Sequence, residues 1–436
     1  MKTLAFVLIA AAPLLVGADD SFMIRGAVVH PVSSPAIENG SILVRDGKIV
    51  GVGKNLSVPK GVRVIEAKGM HVYPGMIDSA TEMGLSEISA VRETVDTGEL
   101  GKFNPQLRAE IAINPASEHI PVTRANGITT VISLPMGAGG EMRIMRNGGG
   151  SIITGQAALV HLDGWTWEDM DVKSDAGMAM RFPTILSASR RSADLPASMR
   201  GPNFEEAKKN YETQIRELKD FFEEARRYQK AKASGVPINP DLKFEAMLPV
   251  LEGKVPLLAV TSKERAIRDA VKFAEEEKVK LVIANPRELG AMGPELKAKN
   301  IPVILGPTLA EPQKADDPYD AAYTLPEEFY KAGVKFAFGS FDNQFSRDLP
   351  YQAATAVAFG LPYDEALKAI TLNPAEIWGV ADRIGSIEEG KWADLMMTDG
   401  DPLETKTQVK QLFIKGKAVD LDNKQHKLYE KYLSRP

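Results

Sequence analysis

The chain has 436 residues, 44% hydrophobic and 25% charged, a balance that gives one large buried core or two moderate ones and excludes disorder as the default. Its formal net charge is −5, and Lys and Arg are interspersed with Asp and Glu, so nucleic acid is not an expected partner. There is no cysteine, which excludes disulfides and thiol catalysis and leaves stability to packing.

Lys2 precedes an apolar run from Leu4 to Val16, followed by Gly17 and Ala18. A charged start, a short apolar stretch and small residues before a cut make a secretory signal peptide over 1–18, with a mature chain from about Asp19 in the periplasm or the medium. The alternative, a membrane anchor, needs about 20 apolar residues. This run is shorter, and no later segment reaches that length, so the mature chain is expected to meet no membrane.

From Ser21 to Tyr73 the pattern is that of short strands: Met23 to His30, Ser41 to Val44, Lys48 to Val52 and Val62 to Ala67. Asp46-Gly47 between alternating apolar runs is a strong hairpin signal. The same texture returns near the end, with Ala393 to Thr398 and Gln408 to Ile414 as strands and Lys415-Gly416 as a turn.

Between these ends, strand-like runs alternate with helical stretches. Thr129 to Leu134, Pro256 to Val260, Leu281 to Ala284, Pro302 to Gly306 and Lys335 to Gly339 read as strands. Ser262 to Lys278 reads as a helix, with Ala266, Ile267, Ala270, Val271 and Ala274 at three-to-four spacing. Alternation over about 300 residues favours a parallel α/β architecture, with a closed barrel as the leading form. Asn203 to Lys232 is a long charged helix carrying Ala207, Tyr211, Ile215, Leu218, Phe222 and Ala225 on one stripe. It is read as an insertion packed on the barrel, with a lid or a dimerisation arm as the other reading. The clusters Gly137 to Gly140 and Gly148 to Gly150 lack phosphate-loop spacing and read as loop.

In combination these pieces resemble the amidohydrolase superfamily, closest to its imidazolonepropionase-like branch. The residues that carry the likeness are SILVRDGKIVGVG and VIEAKGMHVYPGMID, GVKFAFGS, LPYDEALKAITLNPAEIWGV, and DRIGSIEEGKWADLMMTDGDPLE. The resemblance implies a (β/α)8 TIM-like barrel over 74–380, with the helical insertion at about 203–232, and a composite β-sandwich from 19–73 plus 381–425. It also implies a metal-dependent hydrolase of carbon–nitrogen bonds other than peptide bonds. Fold alone does not carry that activity, which has to be argued from the site.

Active members carry a His-x-His pair just after the Pro-Gly-x-Ile-Asp segment. Here Pro74-Gly75-Met76-Ile77-Asp78 leads into Ser79-Ala80-Thr81-Glu82, which sets Ala80 and Glu82 at those positions. The fifth-strand histidine is expected near Val260-Thr261-Ser262, and the sixth-strand one within Leu281 to Pro286. The eighth-strand aspartate aligns with Phe341, one residue before Asp342, an offset that a β-bulge would absorb. The histidine count gives the same answer independently. Of the five, His30 lies in the sandwich, His426 in the tail and His71 ahead of the first barrel strand, which leaves His119 and His161. Two histidines cannot build a four-histidine binuclear site.

Active-site residues in such barrels lie at the C-terminal strand ends. Glu82 and Asp342 are therefore the candidate catalytic residues, as a metal-free acid/base pair or as ligands, with a histidine, of at most one divalent ion, zinc or manganese. His161, Trp165 and Trp167 in HLDGWTW, and His119, are candidate small-molecule contacts. For His119 the other reading is that it pins a loop, and for the tryptophans that they pack. Glu87, Glu93 and Asp96 read as a solvated stretch. Two functions follow: an exported hydrolase with a degenerate metal site, or a catalytically inactive binding protein or partner subunit of an active relative, in a homo- or hetero-oligomer.

Overall fold

A computed structural model describes residues 21–137, 150–186, 201–235, 237–312 and 317–435. The expected leader segment, 1–18, and most of both glycine clusters lie outside these residues. One eight-stranded sheet comes from the two ends of the chain. It is built from β1 (Phe22–Val29), β2 (Ile37–Arg45), β3 (Lys48–Gly53), β4 (Arg63–Glu66), β5 (His71–Pro74) and, after the barrel, β14 (Leu395–Thr398), β15 (Val409–Ile414) and β16 (Lys417–Val419). Asp46-Gly47 and Lys415-Gly416 both take positive φ at two successive residues, the geometry of tight hairpins. The sheet curls until these tips touch: a Cβ on Gly47 would stand 2.5 Å from the Lys415 carbonyl oxygen, so glycine there is a packing requirement as well as a conformational one. Phe22, Ile24, Ile49, Val72, Leu395 and Phe413 fill the sandwich.

The second sheet is the barrel, with its strands in sequence order: β6 (Met76–Thr81), β7 (Ile128–Ser133), β8 (Ile153–His161), β9 (Asp171–Arg181), β10 (Leu257–Val260), β11 (Leu281–Ala284), β12 (Val303–Leu305) and β13 (Phe336–Phe338). It closes where the Phe341 amide donates to the Ala80 carbonyl, 2.7 Å, and where Gly339 lies so close to Ala80 that a Cβ would stand 2.9 Å from its methyl. Ile77, Ile132, Leu159, Ala179, Leu258, Val282, Ile304 and Ala337 point inward, and Trp378 plugs the base. Gly177 admits that ring, since a Cβ there would be 2.9 Å from it.

One strand departs from the all-parallel expectation. β8 is antiparallel to both β7 and β9. A parallel neighbour needs a crossover of a dozen or more residues, but only residues 162–170 separate β8 from β9, and the one helix they hold is the single turn Trp167–Met170. The chain therefore turns back at the base, and β8 starts at the mouth and ends at the floor.

Helices cover the outside. The Ser262 to Lys278 expectation is met by Glu264–Glu277, which buries Ala266, Ile267, Ala270, Val271, Phe273 and Ala274. The long helix is Phe204–Ala233, started by an Asn203/Glu206 capping box. It buries Ala207, Leu218, Phe221, Phe222 and Ala225, with the Phe222 ring edge-on to Phe273 at 5.1 Å. Tyr211 donates to Asp269, 2.7 Å. These contacts hold the helix against the outside of the barrel.

Candidate active site

Inward alternation along the strands decides what faces the barrel mouth. Val260 and Ala284, the last residues of β10 and β11, lie with Ala80, Met136 and Phe341 in the interior apolar cluster. Arg181 pairs in register with Val260 and follows inward-facing Ala179 by two residues, which puts it on the same face. Glu82 follows β6 directly.

Burial pushes the Glu82 carboxyl up to about 7; the Asp342 charge pushes the same way and the Arg181 guanidinium opposes it. Glu82, Asp342 and Arg181 therefore share one electrostatic environment at the mouth. Asp342 is held firmly. Its Oδ1 accepts the amides of Gln344, 2.7 Å, and Phe345, 2.8 Å, capping the 3-10 turn Phe345–Asp348. Its carbonyl oxygen accepts the hydroxyls of Thr81, 2.7 Å, and Ser340, 2.8 Å. The expected offset after the eighth strand takes the form of a left-handed residue: Phe341 has φ +52°, rare for a bulky side chain. That step sends the Phe341 ring into the interior cluster and lets Asp342 cap the turn.

Sequence reasoning treated Asp78 only as part of a motif, yet it is the buried tie between the first and last strands. Its Oδ1 accepts the amides of Ser340, 3.0 Å, and Ala80, 3.2 Å, and its Oδ2 accepts the Ser346 hydroxyl, 2.7 Å. Burial raises its carboxyl to about 6 against these hydrogen bonds. Sequence reasoning did not name Arg181, and it took Thr261 and Asn285 only as lying in stretches where the resemblance expects histidines. Thr261 Oγ1 and Asn285 Oδ1 are buried without a hydrogen bond among the described residues, and both follow strand ends. The available signal was position alone: each is the last residue of its strand-like run or the one just beyond it.

His161 and the two tryptophans are not brought to the mouth. His161 ends the reversed β8 and sits at the base, where its Nε2 is 2.8 Å from Asp394 Oδ2 and both side chains are buried. Trp165 follows it, 94% exposed, and Trp167 opens the single-turn helix, all on the base side. His119 Nε2 lies 2.9 Å from the Glu87 carbonyl oxygen, and the Glu118 amide donates to Glu87 Oε1, so the excursion after β6 is pinned there. His30 and His71 pair with each other in the sandwich, 3.0 Å apart.

A histidine-held ion does not fit this set of side chains. Ala80, Val260, Ala284 and Phe341 occupy or adjoin the positions where the resemblance expects ligands, and all four belong to or pack against one interior apolar cluster. Among the described residues no three His, Cys, Asp or Glu side chains stand together as ligands.

The Amidohydrolase family model matches residues 324–419. The whole fold is similar to the crystal structure of an amidohydrolase from Thermotoga maritima MSB8, with a TM-score of 0.77 and 27% identity over 92% of this chain and 99% of that one. The fold is that of the amidohydrolase superfamily, and the C-terminal part of the chain matches its family model. Among curated amidohydrolases it is similar to amidohydrolase tasK of Hapsidospora irregularis, 23% identical over 87% of this chain and 40% of that protein. An imidazolonepropionase of Porphyromonas gingivalis is 40% identical over 81 residues, 18% of this chain and 19% of that one. The chain thus spans two-fifths or less of the curated amidohydrolases it matches.

Proposed function

We propose that this chain is an exported hydrolase of non-peptide carbon–nitrogen bonds whose histidine metal site has degenerated and whose proton carrier is Glu82. Similarity to amidohydrolases in fold and in the C-terminal family match supports a hydrolase. The packing of Ala80, Val260, Ala284 and Phe341 supports loss of the metal site. The observation that carries the reading is Glu82, held near neutrality by burial at the mouth beside Asp342 and Arg181. A carboxyl that titrates close to the working pH is suited to both halves of a proton transfer. As a carboxylate it takes a proton from water as the water oxygen bonds to the substrate carbonyl carbon. As the acid it returns that proton to the leaving nitrogen as the carbon–nitrogen bond breaks, which regenerates Glu82. Arg181 supplies positive charge for the oxygen that becomes negative between these steps, and Thr261 and Asn285 offer hydrogen bonds to orient the substrate.

The apolar run after Lys2, read as a leader over 1–18, supports export to the periplasm or the medium, which cell fractionation of the tagged chain tests. For the chemistry, the chain from Asp19 is assayed with lactams, cyclic imides and N-acyl amines after chelator treatment. The expected result is turnover that survives the chelator and is lost in Glu82→Gln. Turnover that requires added zinc or manganese and is indifferent to Glu82→Gln overturns the reading. The same apolar floor favours one other function, a non-catalytic binding barrel or partner subunit. Ligand retention without turnover in the unmodified chain supports that second reading.

A further inference from the structure

The helix Lys424–Leu433 buries none of its residues. Leu428, Tyr429, Tyr432 and Leu433 form two pairs at four-residue spacing, so they share one face, and they are 40%, 65%, 49% and 70% exposed. Lys424, Lys427 and Lys431 run along the adjoining face, Glu430 is the one acidic residue of the helix, and Arg435 follows, stacked on Tyr432 at 4.3 Å. Asp422 precedes the helix and is paired with Lys427 at 3.1 Å. The lead-in is anchored: Leu421 packs against the main core, and Asn423 caps the helix through the Gln425 and His426 amides. Arg124 joins this segment to the Trp165 loop. Its Nε donates to the Asp420 carbonyl, 3.1 Å, and its Nη1 to the Leu162 carbonyl, 3.1 Å, and to Asp163, 3.0 Å.

We propose that the face formed by this helix and the Trp165 loop binds the surface of an anionic lipid bilayer. Tryptophan, tyrosine and leucine set beside lysine and arginine are the side chains that partition into the headgroup boundary, apolar part inward and charge outward. The chain as a whole carries −5, so a lysine-lined strip is the surface on which an anionic plane is attracted instead of repelled. A second copy is a poorer occupant, because a two-fold contact through this stripe sets like rows of lysine near each other with little acid to offset them. The helix is ten residues long, about 15 Å, and no helix of the described residues is long and apolar enough to cross a membrane. The helix lies on the bilayer and does not span it. This revises the expectation that the mature chain meets no membrane, and it is independent of the catalytic proposal.

The test is vesicle flotation of the chain from Asp19, without its apolar leader, on phosphatidylglycerol-containing and on pure phosphatidylcholine vesicles. Retention is expected on the first, and Lys427→Glu with Lys431→Glu is expected to weaken it by at least roughly fivefold per lysine, more at low salt. Tyr429→Ser with Leu433→Ser is expected to abolish it with circular dichroism unchanged, since none of these side chains is buried. A blue shift of tryptophan emission on anionic vesicles, absent in Trp165→Phe, places that loop in the contact. No retention on either vesicle, or equal retention on both, overturns the proposal. Self-association in sedimentation that Tyr429→Ser removes, without vesicle binding, assigns the face to a second copy instead.

Discussion

Glu82→Gln isolates the burial of one carboxyl at the barrel mouth. In the folded chain Glu82 titrates at about 7, against 4.5 when solvated. Because the folded value is the higher one, the folded state binds the extra proton between them, and the stability associated with Glu82 is complete below 4.5 and lost as pH rises through 7. The gap corresponds to about 3 kcal/mol in all, of which about 2.5 kcal/mol falls between pH 5 and pH 8. Glutamine has no such transition and nearly the same shape. The difference in unfolding free energy between Glu82→Gln and the unmodified chain, measured by urea titration at several pH values, is expected to grow in favour of the variant by about that amount from pH 5 to pH 8. Asp78, which also titrates high, is present in both chains and cancels. A difference that stays flat to within about 0.5 kcal/mol, well below the expected change, refutes a desolvated Glu82 and with it the proton-carrier role.

Asp342→Asn keeps an oxygen for the Gln344 and Phe345 amides but removes the charge that raises Glu82. Carboxyl titration by nuclear magnetic resonance is expected to find Glu82 below its value in the unmodified chain, and an unmoved Glu82 removes the link between them. Asp78→Ala orphans the Ser340 and Ala80 amides and the Ser346 hydroxyl in a buried place; a loss of about 3 kcal/mol or more is expected in urea unfolding, and a loss below about 1 kcal/mol, the scale of one ordinary hydrogen bond, shows that Asp78 does not hold the barrel closed. His161→Leu leaves the buried Asp394 carboxylate without its Nε2 partner, so a loss of about 3 kcal/mol is expected with ligand affinity at the mouth unchanged by calorimetry; a fall in affinity at full folding returns His161 to the site. Ala80→His forces a ring between Gly339 and the floor residues, and a loss of at least about 1–3 kcal/mol with no gain in zinc affinity is expected; zinc binding would show that the floor opens for ligands.

Much of the fold was legible because the signals were local. The Asp46-Gly47 and Lys415-Gly416 hairpins follow from residues that accept positive φ, and the Glu264–Glu277 helix follows from its apolar period. What escaped depends on contacts distant in sequence. Nothing in Ile153–His161 distinguishes a reversed strand from a forward one, because strand alternation is the same in either direction; only the short return through residues 162–170 decides it. That single reversal moves His161 and both tryptophans from the expected mouth to the base. In the same way, the sequence put Phe341 and Asp342 one residue apart but gave no sign of the left-handed step that turns one inward and sets the other to cap.

On the proposed reading, the missing ligands and the perturbed carboxyl are one change seen from two sides. A histidine-held ion would place positive charge on the floor of the mouth, and a carboxylate above it would be stabilised in its charged form. Methyl, isopropyl and phenyl groups at Ala80, Val260, Ala284 and Phe341 supply no such charge, and Glu82 is largely buried. Desolvation is accordingly the largest cause of its shift, with Asp342 second and Arg181 the opposing influence. Replacement of ligands by apolar residues thus does more than remove a Lewis acid. It produces the environment in which a lone glutamate exchanges protons near neutrality, the property a metal-free hydrolase in this barrel requires.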